Sequence, residues 1–319
     1  MLEIVRFVGV YPLQHQNGLT VDLSLERIEA SLGEIDPVFL DTPQFVSDRL
    51  SNALGRKVLV KVETLNPIGS FKGRGTSVLA RKLDPTRAWV CATAGNFGQG
   101  LAYAARERDA TTHIFVAPDA PAGKVERIQA LGARVEVHER PESAAREHAA
   151  ASEDRLLVVD GLDPAIAEGA GTIGVELTAA GQIDTAVVQL GDGALISGVA
   201  RWLKSQGDSK VVGVCASGAP AMARSFAARR PISNAGTGTI AGALAITDPV
   251  PESLARIVEL VDEVVLVNDD EIQAAMALIA DSVGVLVEPA GAAGVAAVSR
   301  HSEQLRGERV VVLLTGAAG

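Results

Sequence analysis

Basic residues are in deficit in this chain. Lys and Arg number 29 against 39 Asp and Glu, giving a net charge of −10 and an isoelectric point near 5.1. A broad nucleic-acid surface needs clustered Lys and Arg, so that class of partner is excluded, while a local basic pocket for one small anion is not. Cysteine is nearly absent: Cys91 and Cys215 both sit inside apolar runs and read as reduced, buried thiols. The five histidines, His15, His113, His138, His148 and His301, are scattered without metal-ligand spacing. Long hydrophobic runs are missing too. The longest clean one, Pro289 to Val298, is rich in Gly and Ala and far short of the ~20 apolar residues that span a bilayer. No charged-then-apolar leader opens the chain. A cytoplasmic protein is expected. Aromatics make up only 3%.

What is abundant is aliphatic. Hydrophobic residues reach 47%, mostly Ala, Val and Leu, and mean hydropathy is +0.22. That mixture suits buried strands alternating with close-packed helices. After a polar lead-in to about residue 40 the alternation is visible. Strands are expected at Val58–Val62, Ala88–Ala92, Thr112–Val116, Arg134–His138, Leu156–Val159, Thr185–Leu190, Val211–Cys215 and Val310–Leu314. Helices are expected at Phe71–Lys82, Phe97–Arg108, from Pro121 to Leu131, Glu142–Ala151, 164–181, Ala194–Lys204, Glu271–Asp281 and Ala290–Ser299. Such alternation predicts parallel sheets with helices on both faces. The length suggests about two domains, but no linker or solenoid repeat marks a boundary. An inserted domain fits as well as two sequential ones.

Four segments carry candidate chemistry. In Gly69-Ser70-Phe71-Lys72-Gly73-Arg74-Gly75 a lysine opens a helix. The positive end of the helix dipole disfavours its charge there, which would lower its pKa and free the amine to attack an aldehyde. On spacing alone an exposed helix-start lysine is the simpler reading. Thr93-Ala94-Gly95-Asn96-Phe97 joins a buried strand to a helix, a turn that can present N–H groups to an anion such as a substrate carboxylate, or be an ordinary turn. Leu190-Gly191-Asp192-Gly193-Ala194-Leu195 has strand–glycine–helix geometry suited to a phosphate, with a plain turn equally open. At the end, Val310–Leu314 delivers Thr315 to a glycine-rich terminus, by itself a frayed tail. One Gly-x-Gly-x-x-Gly occurs at Gly169, Gly171 and Gly174. It follows a helix-like segment and no strand, so it is rejected as a dinucleotide fingerprint.

Taken in this order, the segments resemble the fold type II pyridoxal-phosphate enzymes, above all the threonine/serine dehydratases and serine racemases. The likeness runs from about Thr42 to Gly319 and includes Gly171-Thr172-Ile173-Gly174, Thr239-Ile240-Ala241 and Glu288-Pro289-Ala290-Gly291. It implies an α/β fold of the tryptophan synthase β type, with two parallel-rich open sheets flanked by helices. The larger domain would comprise 1–87 and 161–319, and the smaller inserted one 88–160. It implies a Schiff base between pyridoxal phosphate and Lys72, which would also be the base at Cα. Phe71 would pack on the cofactor ring and Asn96 would bond its hydroxyl. Gly191, Asp192, Gly193, Ala194 and Leu195 would hold the phosphate. Thr315 would face the ring nitrogen, and Glu288 would lie near the cofactor. Ser70, Thr93, Ala94, Gly95, Asn96 and Phe97 would hold the substrate carboxylate.

The activity implied is α,β-elimination of water from an amino acid like L-serine or L-threonine, giving a 2-oxo acid and ammonia. The alternatives are β- or γ-replacement, as in cysteine synthases and threonine synthases, and a silent relative that only binds a partner. Dimers are common in such enzymes, so a homodimer is expected by analogy.

The departures are informative. Asp192 and Ala194 replace two glycines of the usual phosphate loop. A carboxylate repels a phosphate dianion, so Asp192 is expected to point away. Phe97 stands where the dehydratases usually carry His, which changes the shape and polarity beside the substrate. Ala94 stands where the racemases carry a catalytic Ser, so racemisation is not expected. The racemases' divalent-metal Glu and Asp fall at Cys215 and near Ala221, so no such metal is expected. With no regulatory domain after residue 319, the allosteric control of the biosynthetic dehydratases is not expected either.

Overall fold

The computed structural model describes residues 21–319, so the first half of the expected lead-in lies outside the described residues. The second half is no polar tail. It forms α1 (Leu25–Ser31) and buries Leu23, Ile28, Ile35 and Phe39. Ser24 caps the helix by accepting the Arg27 N–H at 3.2 Å, and Arg27 reaches Glu168 at 2.7 Å.

In chain order there follow β1 (Gln44–Val46), α2 (Asp48–Leu54), β2 (Val58–Val62), α3 (Lys72–Lys82), β3 (Ala88–Ala92), α4 (Asn96–Arg106), β4 (Thr112–Val116), α5 (Ala122–Ala130), β5 (Arg134–Val137), α6 (Pro141–Ala150) and β6 (Arg155–Leu157). The second half contributes α7 (Pro164–Ala179), β7 (Thr185–Gln189), α8 (Ala194–Gln206), β8 (Lys210–Ala216), α9 (Ala221–Ala228), α10 (Pro251–Leu260), β9 (Glu263–Val267), α11 (Asp269–Val283), α12 (Pro289–Arg300) and β10 (Val310–Leu314). Among the described residues no helix is long and apolar enough to cross a membrane.

Two sheets organise the chain. The larger has the order β1-β2-β10-β7-β8-β9 and the smaller β5-β4-β3-β6. Every pairing is parallel except β1 against β2. β1 is a three-residue edge strand joined to β2 through the short α2, and it runs antiparallel to its neighbour. The central strands β2, β7 and β10 are buried at every position. Helices therefore cover both faces, and each buried Val or Leu contributes about 1.5–3 kcal/mol of apolar burial.

The rejected Gly-x-Gly-x-x-Gly has a packing role. Gly169 and Gly174 lie inside α7. A Cβ on Gly169 would sit 2.7 Å from the Arg74 carbonyl oxygen, and one on Gly174 3.0 Å from Trp202 Cβ. These glycines let α7 close on α3 and α8, which places α3 and its first residue, Lys72.

Candidate active site

The site is built where parallel strands end. In open α/β sheets the carboxyl ends of the strands, with the helices that leave them, form the natural ligand crevice. β2 ends in a turn whose Asn66 side-chain oxygen accepts the N–H groups of Ile68 and Ser70, each at 3.2 Å. Gly69, at φ +62°, completes that turn. Ser70 lies one residue before the N-cap Phe71 of α3, and its hydroxyl accepts the Lys72 N–H at 3.3 Å. The Phe71 N–H donates to Thr315 O at 3.2 Å. The C-terminal segment is pinned rather than frayed, because Ser70 also bridges Gly316 and Ala317 N–H donates to Gly69 O at 2.8 Å.

Lys72 is buried, and its ammonium is clasped by two carboxylates. Nζ donates to Asp160 Oδ2 at 2.6 Å and to Asp192 Oδ2 at 2.8 Å. Burial alone would lower its pKa, but the two carboxylates outweigh burial and hold the pKa above the ordinary lysine value. This corrects the expectation of a lowered pKa. The helix dipole is worth about 0.3–1 kcal/mol, whereas one ion pair near a protein surface is worth on the order of 4 kcal/mol before desolvation. Two such partners decide the sign. The rings of Phe71 and Phe97 stand 5.2 and 5.7 Å from the same nitrogen.

Asp160 and Asp192 differ although they share one lysine. Burial, reinforced by the neighbouring Asp192, pushes the Asp160 carboxyl up to about 7 against the pull of Lys72. Asp160 Oδ1 is buried without a partner. Burial opposes ionisation of Asp192 as well, but Lys72 and the Ala194 N–H hold it below the usual carboxylate range. Its Oδ1 accepts that N–H at 2.7 Å. Asp192 does not point away, as expected from the sequence, but turns into the glycine turn and toward Lys72. Gly193, at φ +97°, precedes α8 there, and the Ser253 hydroxyl donates to the Asp192 carbonyl.

The remaining predicted residues converge on the same cavity of about 1220 Å³. Thr93 to Phe97 form the turn from β3 into α4, where Thr93 Oγ1 accepts the Gly95 N–H at 2.9 Å. The first N–H groups of α4 have no intrahelical acceptor. Asn96 Nδ2 donates to Glu288 Oε1 at 2.8 Å, and Lys124 reaches the other Glu288 oxygen at 3.4 Å. Gly191, Asp192, Gly193, Leu195 and Thr315 also line the cavity. Ser70 and Ala194 do not; they act through the Lys72 N–H and the Asp192 carboxylate. Cys215 is fully buried, its thiol pushed up to about 12 by burial, and Ala221 opens α9. Among the described residues no cluster of His, Cys, Asp and Glu could hold a metal ion.

Sequence reasoning missed Asp160 and the buried network behind α3. Asp160 follows β6 closely, and a carboxylate just past a parallel strand was the available signal. In the network, Arg74 is fully buried and donates to both oxygens of Glu63 at 2.9 Å. It also donates to Glu176 at 2.6 and 2.9 Å and to Thr172 at 3.0 Å. Lys61 pairs with Glu176 as well.

Comparison with known proteins agrees with this fold. An L-threonine ammonia-lyase from Thermotoga maritima is 32% identical over 302 residues, covering 92% of this chain and 75% of that protein. The crystal structure of a T.th. threonine deaminase superposes with a TM-score of 0.87 at 29% identity, covering 93% of this chain and 98% of that one. Maize serine racemase superposes with a TM-score of 0.86 at 27% identity, covering 92% and 93%. Residues 35–316 match the family described as pyridoxal-phosphate dependent enzyme. The chain thus belongs to the pyridoxal-phosphate dependent enzymes, in the fold shared by threonine deaminase and serine racemase.

Proposed function

We propose that this protein eliminates water from a β-hydroxy amino acid of the serine or threonine type, releasing a 2-oxo acid and ammonia. The observation that carries the proposal is the convergence of the Lys72 amine, the glycine turn before α8 and Thr315 on one cavity. The residues suit pyridoxal phosphate. The turn at Gly191 and Gly193 has no room for side chains: a Cβ on Gly191 would collide with the Ala243 carbonyl, and one on Gly193 with Ser253 and Ile257. A backbone so exposed, ahead of a helix N-terminus, cradles phosphate. Lys72 offers the amine, Phe71 an apolar wall, Asn96 an amide, and Thr315 a neutral hydroxyl for the ring nitrogen. Only the Asp192 carboxylate is at odds with this use.

Bound here, pyridoxal phosphate supplies an electron sink that makes the Cα proton of an amino acid acidic. The protein does the rest. The N–H groups at the start of α4, with Thr93, orient the substrate carboxylate. Lys72 Nζ is the base that reaches Cα, and it must first give up its own proton. Asp160 Oδ2, 2.6 Å away, is placed to take that proton. Phe71 and Phe97 keep water from the amine. Ala94 offers no second base on the opposite face, which favours elimination over racemisation.

The organisation proposed is a larger unit of 1–87 and 161–319 with 88–160 inserted. All four strands of the smaller sheet lie between Ala88 and Leu157, which supports it. A cytoplasmic homodimer is proposed on the family likeness.

The test is a panel of β-hydroxy amino acids with the holoenzyme. Release of 2-oxo acid from at least one of them, without a second substrate, is expected. Release only with an added nucleophile would establish replacement instead, and no release from any would remove the dehydratase reading.

A further inference from the structure

The Asp192 side chain already makes the contacts that the glycine turn and the lysine would offer a ligand. Oδ1 takes the N–H of Ala194, the first residue of α8, at 2.7 Å. Oδ2 takes the Lys72 ammonium at 2.8 Å. The surroundings make room for this rotamer. Gly161, at φ +76°, lies so close that a Cβ there would sit 3.2 Å from Asp192 Cβ. From the other side the Ser253 hydroxyl donates to the Asp192 carbonyl, anchoring the turn's backbone independently of the carboxylate.

We propose that the Asp192 carboxylate is an internal competitor for the phosphate cradle, a built-in anion that must withdraw from the Ala194 N–H and from Lys72 before a phosphorylated ligand can be held. The proposal rests on the pyridoxal-phosphate reading and adds to it how the cofactor is captured. A phosphate and a carboxylate cannot share one N–H donor, and two anions within a few ångströms repel. The charged groups facing Asp192 are few. Lys72 comes from α3 and Asp160 from the segment before α7. α10 contributes the neutral Ser253, while its Arg256 is turned to Asp22 and to the carbonyls of Gly161 and Leu162. Cys91 of β3 faces Asp160, and burial keeps its thiol protonated. Among the described residues Lys72 is the one cation that pairs with Asp192, and an aldehyde would engage it. Cofactor capture in this protein is therefore weaker and slower than an all-glycine turn would allow.

Pyridoxine 5'-phosphate isolates the cradle, because it carries the ring and the phosphate but no aldehyde for Lys72. Its affinity for cofactor-free wild type, Asp192→Asn and Asp160→Asn would be measured by titration calorimetry, with far-UV circular dichroism to confirm folding. Asparagine keeps an oxygen for the Ala194 N–H and removes the charge. Asp192→Asn is expected to bind about tenfold more tightly than wild type, a modest share of the repulsion between two neighbouring charges. Asp160→Asn, which does not touch the cradle, should change affinity less. Should Asp192→Asn fail to fold, Asp192→Gly takes its place with the same expectation. Equal or weaker binding by the uncharged variant, in a wild type that still attaches pyridoxal phosphate to Lys72, overturns this proposal alone. Failure of wild type to attach pyridoxal phosphate at all overturns the cofactor reading instead.

Discussion

Asp160 is the residue on which the electrostatics of Lys72 turn. It stands 88 positions away in the chain, and Asp192 120 positions away. The lysine was legible in the sequence only through the resemblance carried by the four segments together, since its local spacing alone favoured an exposed helix-start lysine. Its charge state was not, because both partners arrive through tertiary structure. Asp160 also makes a prediction. Its pKa is raised from 3.8 to about 7, first by burial and then by Asp192. A carboxyl raised in the folded protein stabilises most when protonated. Its contribution is complete below the unfolded value and is lost as pH rises through the folded one. Between about pH 4 and pH 7 wild type should lose melting temperature relative to Asp160→Asn, in which this titration is absent. Thermal melts of both proteins across that range check it, and parallel curves would contradict the assignment.

At the scale of elements, regular alternation was legible and long-range pairing was not. The periods of apolar residues placed most of the expected helices and strands within a residue or two, β2, β3, β4 and β10 without error. The antiparallel β1, α1, α2, α9, α10 and β9 were missed; the shortest of these, a three-residue strand and two seven-residue helices, carry too little pattern. The glycines of α7 were correctly refused a nucleotide role, but their partners become visible only in the fold. Gly169→Ala drives a Cβ to 2.7 Å from the Arg74 carbonyl and from Gly75 Cα, so urea unfolding should show a loss of about 1–3 kcal/mol. Gly123→Ala, in the exposed α5 with nothing within 4 Å, should instead gain up to about 1 kcal/mol from helix propensity. If both behave alike, close packing is not what fixes the glycine in α7. Arg74→Met leaves the buried Glu63 without its cation and Glu176 with Lys61 alone. A loss of about 3–5 kcal/mol is expected, with α3 and therefore Lys72 displaced.

Across the whole molecule, the two sheets bring the ends of β2, β3, β6, β7 and β10 to one cavity. The aliphatic composition and the strand–helix alternation pointed to an α/β fold, and the resemblance carried by the four segments together pointed to pyridoxal phosphate. Phe97 at the start of α4 and Leu195 at the start of α8 both line the cavity, and their convergence was not legible because the two are far apart in the chain. The claim beneath every assignment is that the Lys72 amine condenses with pyridoxal phosphate. Borohydride reduction of the holoenzyme, followed by peptide mapping by mass spectrometry, tests it directly. A pyridoxyl group on the peptide containing Lys72, absent from Lys72→Ala, is the result predicted; an unmodified Lys72 in protein saturated with pyridoxal phosphate, or the label on another lysine, would contradict it.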